Sequence, residues 1–157
     1  MVELLSTSEH DRYINHDQLI REGEIIVIVD DSPEIVVLLQ AYLKNRQLPS
    51  LSANRAEKLF DILKHNNVAL ILLDIGLPDR DGTEILAELV KNYPDLGIIM
   101  VTGTMDLDVA LDCLRRGADD YLTKPVNIEQ FYHTVQETLK KRRLAIETRL
   151  FQQELKA

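Results

Sequence analysis

Short runs of consecutive apolar residues recur along most of the chain. Three such runs cover 25–29, 68–73 and 97–101, and none of them alternates with polar residues. Continuous runs of this length are typical of strands that are buried on both faces of a parallel sheet. Two weaker strands are predicted around 50–52 and 120–122.

Longer segments with a helical spacing of apolar residues separate the runs. Ser32 followed by Pro33 is a helix start signal, and Gly117 is placed to end a helix. The apolar stripes lie within 35–43, 55–64, 85–90 and 107–114, and a further stripe begins near 127.

The alternation of strands and helices gives five βα units. It predicts an α/β fold in which helices cover both faces of a parallel sheet. In such sheets the functional crevice lies beyond the carboxyl ends of the strands. Candidate functional residues are therefore sought where each apolar run ends.

Two segments extend beyond these units. Residues 1–22 are polar and acidic, with only a weak pattern for a short helix over 13–21. Near the C-terminus, the helical pattern continues beyond the residues that a domain of this size needs. We therefore divide the chain into an N-terminal extension (1–22), a domain (23–139) and an extended C-terminal helix (140–157).

Composition narrows the class of protein. The chain has 157 residues, a net charge of -8 and a pI near 5.0, which argues against nonspecific binding of nucleic acid. Neither a transmembrane stretch nor a secretory signal is evident. The single cysteine, Cys113, is expected to be a small apolar core residue, and a cytoplasmic location is the simplest expectation.

Polar residues that could bind a metal ion or take part in a reaction follow the predicted strands. Asp30 and Asp31 follow the first strand, Asp74 the third, Thr102 ends the fourth, and Lys124 comes just after the fifth. Converging carboxylates repel one another, and Mg²⁺ with its preference for oxygen ligands would supply the counter-charge. A carboxylate in that setting can act as a nucleophile toward a phosphoryl donor.

These residues belong to a longer pattern. It includes the turn Leu-Pro-Asp-Arg-Asp-Gly at 77–82 and the segment Gly-Ala-Asp-Asp-Tyr-Leu-Thr-Lys-Pro at 117–125. Over about 24–139 the chain resembles the receiver domain of two-component response regulators, including the chemotaxis regulator. The resemblance implies a flavodoxin-like sheet with strand order 2-1-3-4-5.

The resemblance also implies a phosphoacceptor and a metal site. Asp74 would accept the phosphoryl group. Mg²⁺ would be held by Asp31, Asp74 and the backbone carbonyl of Gly76, with Asp30 acting mainly through water. The donor would be a sensor histidine kinase or a histidine phosphotransfer protein. The chain would then be a bacterial, cytoplasmic switch that controls an output domain or partner, and it would not be an enzyme.

Three further roles follow from the resemblance. Thr102 and Lys124 would bind the phosphoryl oxygens, and Tyr121 would be the aromatic switch that turns inward. The Lys124–Pro125 peptide bond would be cis, an isomer that is accessible chiefly before proline.

A few positions modify this expectation. Gly103 follows the switch threonine where the family usually has alanine, which affects the rate of switching. Gly76 and Thr104 occupy the two positions that tend to tune hydrolysis of the acyl phosphate. Because both are small, we expect a slow to moderate intrinsic dephosphorylation.

Each residue alone also has a plainer interpretation. Paired aspartates after a strand are often helix caps, and residues 78–82 are of types that commonly form turns. Lys124 could be a solvated surface lysine, and Tyr121 could be a core residue. A phosphohydrolase with an aspartate nucleophile usually has a second acid where Gly76 stands. An unphosphorylated receiver-like module is a third alternative. A nucleotide-binding α/β domain is disfavoured because no glycine-rich loop follows the first strand.

The basic run 140–143 could indicate contact with nucleic acid or a membrane. We expect instead a solvated helix face, with local pairing to Glu137 and Glu147 and no contact with nucleic acid or a membrane.

The C-terminal helix carries a short, imperfect coiled-coil pattern, because Leu139 and Ile146 are seven residues apart, as are Leu144 and Phe151. We expect self-association or docking of this helix, or a homodimer formed through the 106–139 face. Since the chain ends within the helical pattern, we expect a fragment of a longer protein rather than a stand-alone regulator.

Overall fold

Parallel strands form one five-stranded sheet in the computed structural model, which describes residues 19–103 and 107–156. The strands are β1 (Glu24–Val29), β2 (Ser50–Ala53), β3 (Asn67–Leu73), β4 (Gly97–Thr102) and β5 (Asp120–Thr123). Their order, β2-β1-β3-β4-β5, is the predicted one. Every strand lies within one residue of its predicted run, and the three continuous apolar runs at 25–29, 68–73 and 97–101 became β1, β3 and β4.

Helices follow the strands as predicted. They are α1 (Pro33–Asn45), α2 (Ala56–His65), α3 (Gly82–Asn92), α4 (Leu107–Arg115) and α5 (Ile128–Lys156). Ser32 is the N-cap residue of α1, but its side chain makes no capping bond. Its backbone N–H instead donates to Oδ1 of Asp30 at 2.9 Å. The helix predicted over 13–21 lies largely outside the described residues.

Two apolar layers enclose the sheet. One layer packs α1 and α5 against the sheet, with Phe131 fully buried in it. The other packs α2, α3 and α4 against the opposite face, and Cys113 is fully buried there, as predicted. The two layers are the expected result of strands that are apolar on both faces.

Gly117 ends α4 in the predicted manner. Its φ is +115°, and the following N–H of Ala118 donates to the carbonyl of Cys113 at 3.0 Å. A Cβ at this position would lie 2.8 Å from Cγ2 of Val90 on α3. Both the backbone conformation and the close approach therefore require glycine here.

The C-terminal helix packs on the domain further than predicted. Leu139 and Ile146 are buried, at 2% and 3% exposure, so this pair does not contribute to an exposed coiled-coil seam. Leu144, Phe151 and Leu155 are exposed, the last two by 60% and 70%. These three lie seven and four residues apart and share one stripe of α5.

The prediction of a solvated basic run is wrong for Arg142. Its guanidinium is buried and forms an ion pair with Glu24 at the start of β1, and its Nε donates to the carbonyl of Asp95 at 2.8 Å. The predicted local pairs of the run, Lys140 with Glu137 and Arg143 with Glu147, are present at 3.7 and 4.0 Å.

Further pairs link α5 to the same edge of the sheet. Lys141 pairs with Asp119, and Arg149 pairs with Asp95. The helix is therefore held to the edge opposite the carboxyl ends of the strands. Within the described ranges, no helix is both long and apolar enough to span a membrane.

Candidate functional site

Three carboxylates meet at the carboxyl ends of β1 and β3. Because these strands are neighbours, the N–H of Asp74 donates to the carbonyl of Val29 at 2.9 Å, which places Asp74 beside Asp30 and Asp31. One oxygen from each of the three carboxylates lies within 4.8 Å of the others. Asp30 and Asp74 are buried and Asp31 is exposed, so the cluster opens to solvent on one side.

Lys124 is the cation beside this cluster. Its Nζ lies 2.7 Å from Oδ2 of Asp30 and 3.5 Å from Oδ2 of Asp74. One ammonium group among three carboxylates leaves the group with two uncompensated negative charges when all four are ionised. The cluster therefore carries an excess of negative charge, with Asp30 and Asp74 buried and Asp31 exposed, that a divalent cation would balance.

The pKa of the Asp74 carboxyl is raised above its usual 3.8. Burial is the main cause, and the negative charge of Asp30 adds to it, while Lys124 and the Gly76 N–H act in the opposite sense. Burial alone would lower the pKa of Lys124, but its hydrogen bond to Asp30 and the charges of Asp74 and Asp30 raise it. Lys124 is therefore held in its charged form.

Thr102 and Lys124 are placed at the same edge by β4 and β5. Thr102 pairs with Thr123, and the N–H of Lys124 donates to the carbonyl of Thr102 at 2.9 Å. The Thr102 side chain is buried at the end of its strand. The Lys124–Pro125 peptide bond is cis, as predicted.

The loop 74–82 carries the remaining predicted ligand. Gly76 is exposed, and its N–H donates to Oδ1 of Asp74 across a long 3.4 Å. Gly76 forms an antiparallel bridge with Asp81, and the N–H of Gly82 donates to the carbonyl of Ile75 at 2.9 Å. A Cβ on Gly76 would meet nothing within 4 Å, so there is open space at this position.

No individual role was predicted for two aspartates of this loop, Asp79 and Asp81. Asp81 caps α3 by accepting from the N–H and the hydroxyl of Thr83, both at 2.8 Å, and this lowers the pKa of Asp81. An aspartate just before a helical pattern is a recognised start signal, so the sequence could have shown this. Asp79 accepts hydrogen bonds from the N–H groups of Ala56 and Glu57, more than 20 residues earlier, and no local pattern signals that contact.

Tyr121 is the predicted site residue that lies on β5 beside β4. Tyr121 pairs with Met100 and is half-buried against the layer formed by α2, α3 and α4, next to β4 but not within the carboxylate cluster. Thr104 lies outside the described residues.

The donor set fits Mg²⁺. All three side chains offer hard oxygen ligands, there is no imidazole or thiolate among them, and one side of the cluster is open for water and a phosphoryl group. The residues that would hold the ion are Asp30, Asp31, Asp74 and the carbonyl of Gly76.

Comparison with known proteins decides the family. The model of the response regulator receiver domain matches residues 26–136. The chain belongs to the response regulator receiver domains. It is therefore a receiver of two-component systems, as the resemblance implied, and the acidic cluster is where this family generally binds Mg²⁺.

Among curated relatives, this receiver is 33% identical over 116 residues to the response regulator protein PilR of Pseudomonas aeruginosa, covering 74% of the chain and 26% of PilR. It is 36% identical over 114 residues to the transcriptional regulatory protein TorR of Escherichia coli, covering 73% of the chain and 49% of TorR. The chain thus spans between a quarter and a half of these relatives.

Among solved structures, the receiver is similar to a CheY-like receiver domain from Methanospirillum hungatei, with a TM-score of 0.73, 32% identity and coverage of 78% of this chain and 98% of that one. It is also similar to the receiver of a LuxO repressor from Vibrio parahaemolyticus, with a TM-score of 0.74, 25% identity and coverage of 80% and 96%. Since the relatives include an archaeal protein, a bacterial origin stays a prediction.

Proposed function

We propose that this receiver accepts a phosphoryl group on Asp74 from a histidine kinase or a histidine phosphotransfer protein, with Mg²⁺ bound. The supporting observation is that three carboxylates and Lys124 converge at one solvent-open edge of the sheet. A purely structural role would not account for two uncompensated charges at that edge.

In the transfer step, an Oδ atom of ionised Asp74 attacks the phosphorus of the phosphorylated donor histidine. The new P–O bond forms as the P–N bond to the donor imidazole breaks. The bond electrons return to the imidazole nitrogen, which takes up one proton from solvent to give neutral imidazole. Bound Mg²⁺ supplies charge neutralisation for the carboxylates and the transferring group.

The chain's own residues orient and stabilise this step. Asp30 holds Lys124 within 2.7 Å, which keeps a charged ammonium group beside Asp74. Nζ at 3.5 Å from Asp74 is close enough to reach an oxygen of a phosphoryl group attached there. The hydroxyl of Thr102, on the same strand edge, provides a second and neutral donor.

The proposed consequence is a conformational switch and not turnover of a substrate. New charge on Asp74 recruits Thr102 and Lys124, and Tyr121 repacks beside β4, which shifts a pre-existing equilibrium that an output domain or partner senses. Gly76 has no side chain that would shield the Asp74 carboxylate from water. We expect hydrolysis of the acyl phosphate to return the receiver to its resting state at a slow to moderate rate. A phosphoryl half-life of seconds would contradict this.

We further propose that α5 associates with α5 of a second copy. The stripe of Leu144, Phe151 and Leu155 is apolar and exposed, on a different side of α5 from the buried Ile146. Spacings of seven and four residues are those of a coiled-coil seam. Concentration-dependent sedimentation that is lost in a Phe151→Glu variant supports this, and monomeric sedimentation of the parent at high concentration contradicts it.

A cytoplasmic location is part of the proposal and rests on the use of a single, buried cysteine. The function itself is tested by incubating the chain with phosphoramidate and Mg²⁺ and measuring its intact mass. A stable gain of one phosphoryl group supports the switch. Continuous release of phosphate would favour a phosphohydrolase, and an unchanged mass without phosphate release would favour an inert module.

A further inference from the structure

Helix α2 begins without a capping side chain of its own. Its N-cap residue is Arg55, which has no acceptor atom and makes no side-chain capping bond. The exposed backbone donors at the helix start would otherwise need water or another acceptor. Asp79 supplies both acceptors, because Oδ1 lies 2.9 Å from the N of Ala56 and Oδ2 lies 3.1 Å from the N of Glu57.

The Asp79 contact also connects the loop 74–82 to a separate element, helix α2. The far end of the loop is fixed to α3 through the Asp81 cap and the close approach of Gly82 to Ile75. The middle of the loop has the Asp79 contact and the Arg80 guanidinium, which lies 5.5 Å from the ring centroid of Phe60 on α2. Gly76, whose carbonyl is the proposed ligand, lies between Ile75, which contacts Gly82, and Asp79.

Helix α2, whose N-terminus is capped by Asp79, is also connected to the carboxylate cluster. Helix α2 follows β2, and the carbonyl of Ala53 at the end of β2 accepts the N–H of Asp30 at 3.0 Å. Asp79 therefore joins the loop that bears Gly76 to the segment that borders Asp30. Both segments belong to the proposed magnesium site.

We infer that Asp79 is a positioning residue for the magnesium site, which holds the Gly76 carbonyl in place through the start of α2. This inference rests on the proposed function. Within the loop, Gly76 has its bridge to Asp81 and a long N–H contact to Asp74 at 3.4 Å, and the Asp79 contact adds a link from this loop to α2. Partners that orient metal ligands without touching the metal affect metal affinity by roughly 10- to 100-fold.

The alternative is that Asp79 merely stabilises α2. A second substitution separates the two roles. Arg55→Ser places a capping hydroxyl at the N-cap of α2 itself, which restores the helix cap without restoring the link to the loop. The variants are Asp79→Ala, Asp79→Asn, Arg55→Ser and the double variant Asp79→Ala with Arg55→Ser, each measured for Tm and for Mg²⁺ binding by titration calorimetry.

For Asp79→Ala we expect a lower Tm and a Kd for Mg²⁺ that rises by about tenfold. Asp79→Asn keeps one acceptor oxygen, so its Kd should rise less. The double variant should recover Tm while its Kd for Mg²⁺ stays raised. Arg55→Ser alone should leave the Kd unchanged.

Two results would overturn the inference: Asp79→Ala binding Mg²⁺ as tightly as the parent, or the double variant recovering both Tm and Kd. Both leave the proposed function intact, because the parent still binds Mg²⁺. A parent chain that binds no Mg²⁺ would instead overturn the magnesium site and this inference with it.

Discussion

Lys124 lies closer to Asp30 than to the proposed phosphoacceptor: Nζ is 2.7 Å from Oδ2 of Asp30. The ammonium group thus neutralises one carboxylate of the cluster while it remains 3.5 Å from Asp74. In the resting receiver, Lys124 and a bound divalent cation would compete for the same negative charge. Phosphorylation adds charge at Asp74, which would draw the ammonium group away from Asp30.

This competition predicts the effect of removing the amine. In Lys124→Met the cluster loses the ammonium group that contacts Asp30 and Asp74, so Mg²⁺ should bind about tenfold more tightly, a gain of ~1.4 kcal/mol. Titration calorimetry measures this. Lys140→Met is the matched control, since Lys140 is exposed and pairs with Glu137, remote from the cluster. Equal Mg²⁺ affinity in the parent and Lys124→Met would show that Lys124 does not offset the cluster's charge.

The raised pKa of Asp74 predicts a pH-dependent cost to stability. The folded chain binds a proton on Asp74 more readily than the unfolded chain, so stability from this group is fully present below about 3.8 and is lost as pH rises through the raised value. Asp74→Asn removes the charge and should increase the free energy of unfolding at pH 7 by about 1 kcal/mol.

Urea unfolding of parent and Asp74→Asn across a pH series, without Mg²⁺, tests this. The gain should shrink as pH falls toward 3.8. A gain that is constant with pH would indicate that the charge of Asp74 is not its cause.

Gly82 should tolerate no side chain. A Cβ there would lie 2.5 Å from Cα of Ile75 and 2.6 Å from the carbonyl oxygen of Asp74, both backbone atoms. Gly82→Ala should therefore displace the loop and reduce the free energy of unfolding by about 2 kcal/mol. Gly76→Ala is the control in the same loop, because its Cβ meets nothing within 4 Å and should change stability by less than about 0.5 kcal/mol. Similar losses in both variants would contradict the steric argument.

The buried ion pair between Glu24 and Arg142 predicts a strong effect on α5. The two side chains are only 10% and 8% exposed, so Arg142→Met leaves a buried carboxylate without its partner. The free energy of unfolding should fall by about 3 kcal/mol, and amide exchange should accelerate in the C-terminal half of α5.

A double-mutant cycle isolates the pair. Glu24→Gln with Arg142→Met should cost clearly less than the sum of the single changes, since each single change already breaks the pair. The exposed Lys140→Met again serves as the control for the basic run. Additive losses would mean that the two residues stabilise the chain independently.

Much of the fold was predictable because its signals are local. Continuous apolar runs predicted β1, β3 and β4 to within one residue, Pro33 marked the start of α1, and Gly117 marked the end of α4. The site residues could be placed at one edge because parallel strands end there together, so Asp30, Asp74 and Lys124 were expected as neighbours before any distance was known.

The remainder depended on contacts between distant parts of the chain. Arg142 belongs to a run of four basic residues, and nothing in that run distinguishes the one that meets Glu24, 118 residues earlier. Ile146 has the seven-residue spacing of a coiled-coil seam, yet it is buried. Asp79 caps a helix whose start is 23 residues away. Such partners follow from the packing of whole elements and not from local periodicity.

The central claim is that Asp74 is a magnesium-dependent phosphoacceptor. Its most direct test is intact-mass analysis after incubation with phosphoramidate, carried out with Mg²⁺, with EDTA, and on an Asp74→Asn variant shown to be folded. We predict a mass gain of one phosphoryl group in the parent with Mg²⁺ alone, and none with EDTA or in Asp74→Asn. A folded Asp74→Asn variant that gains the same mass at the same rate, or a parent that gains none with Mg²⁺, would contradict the account.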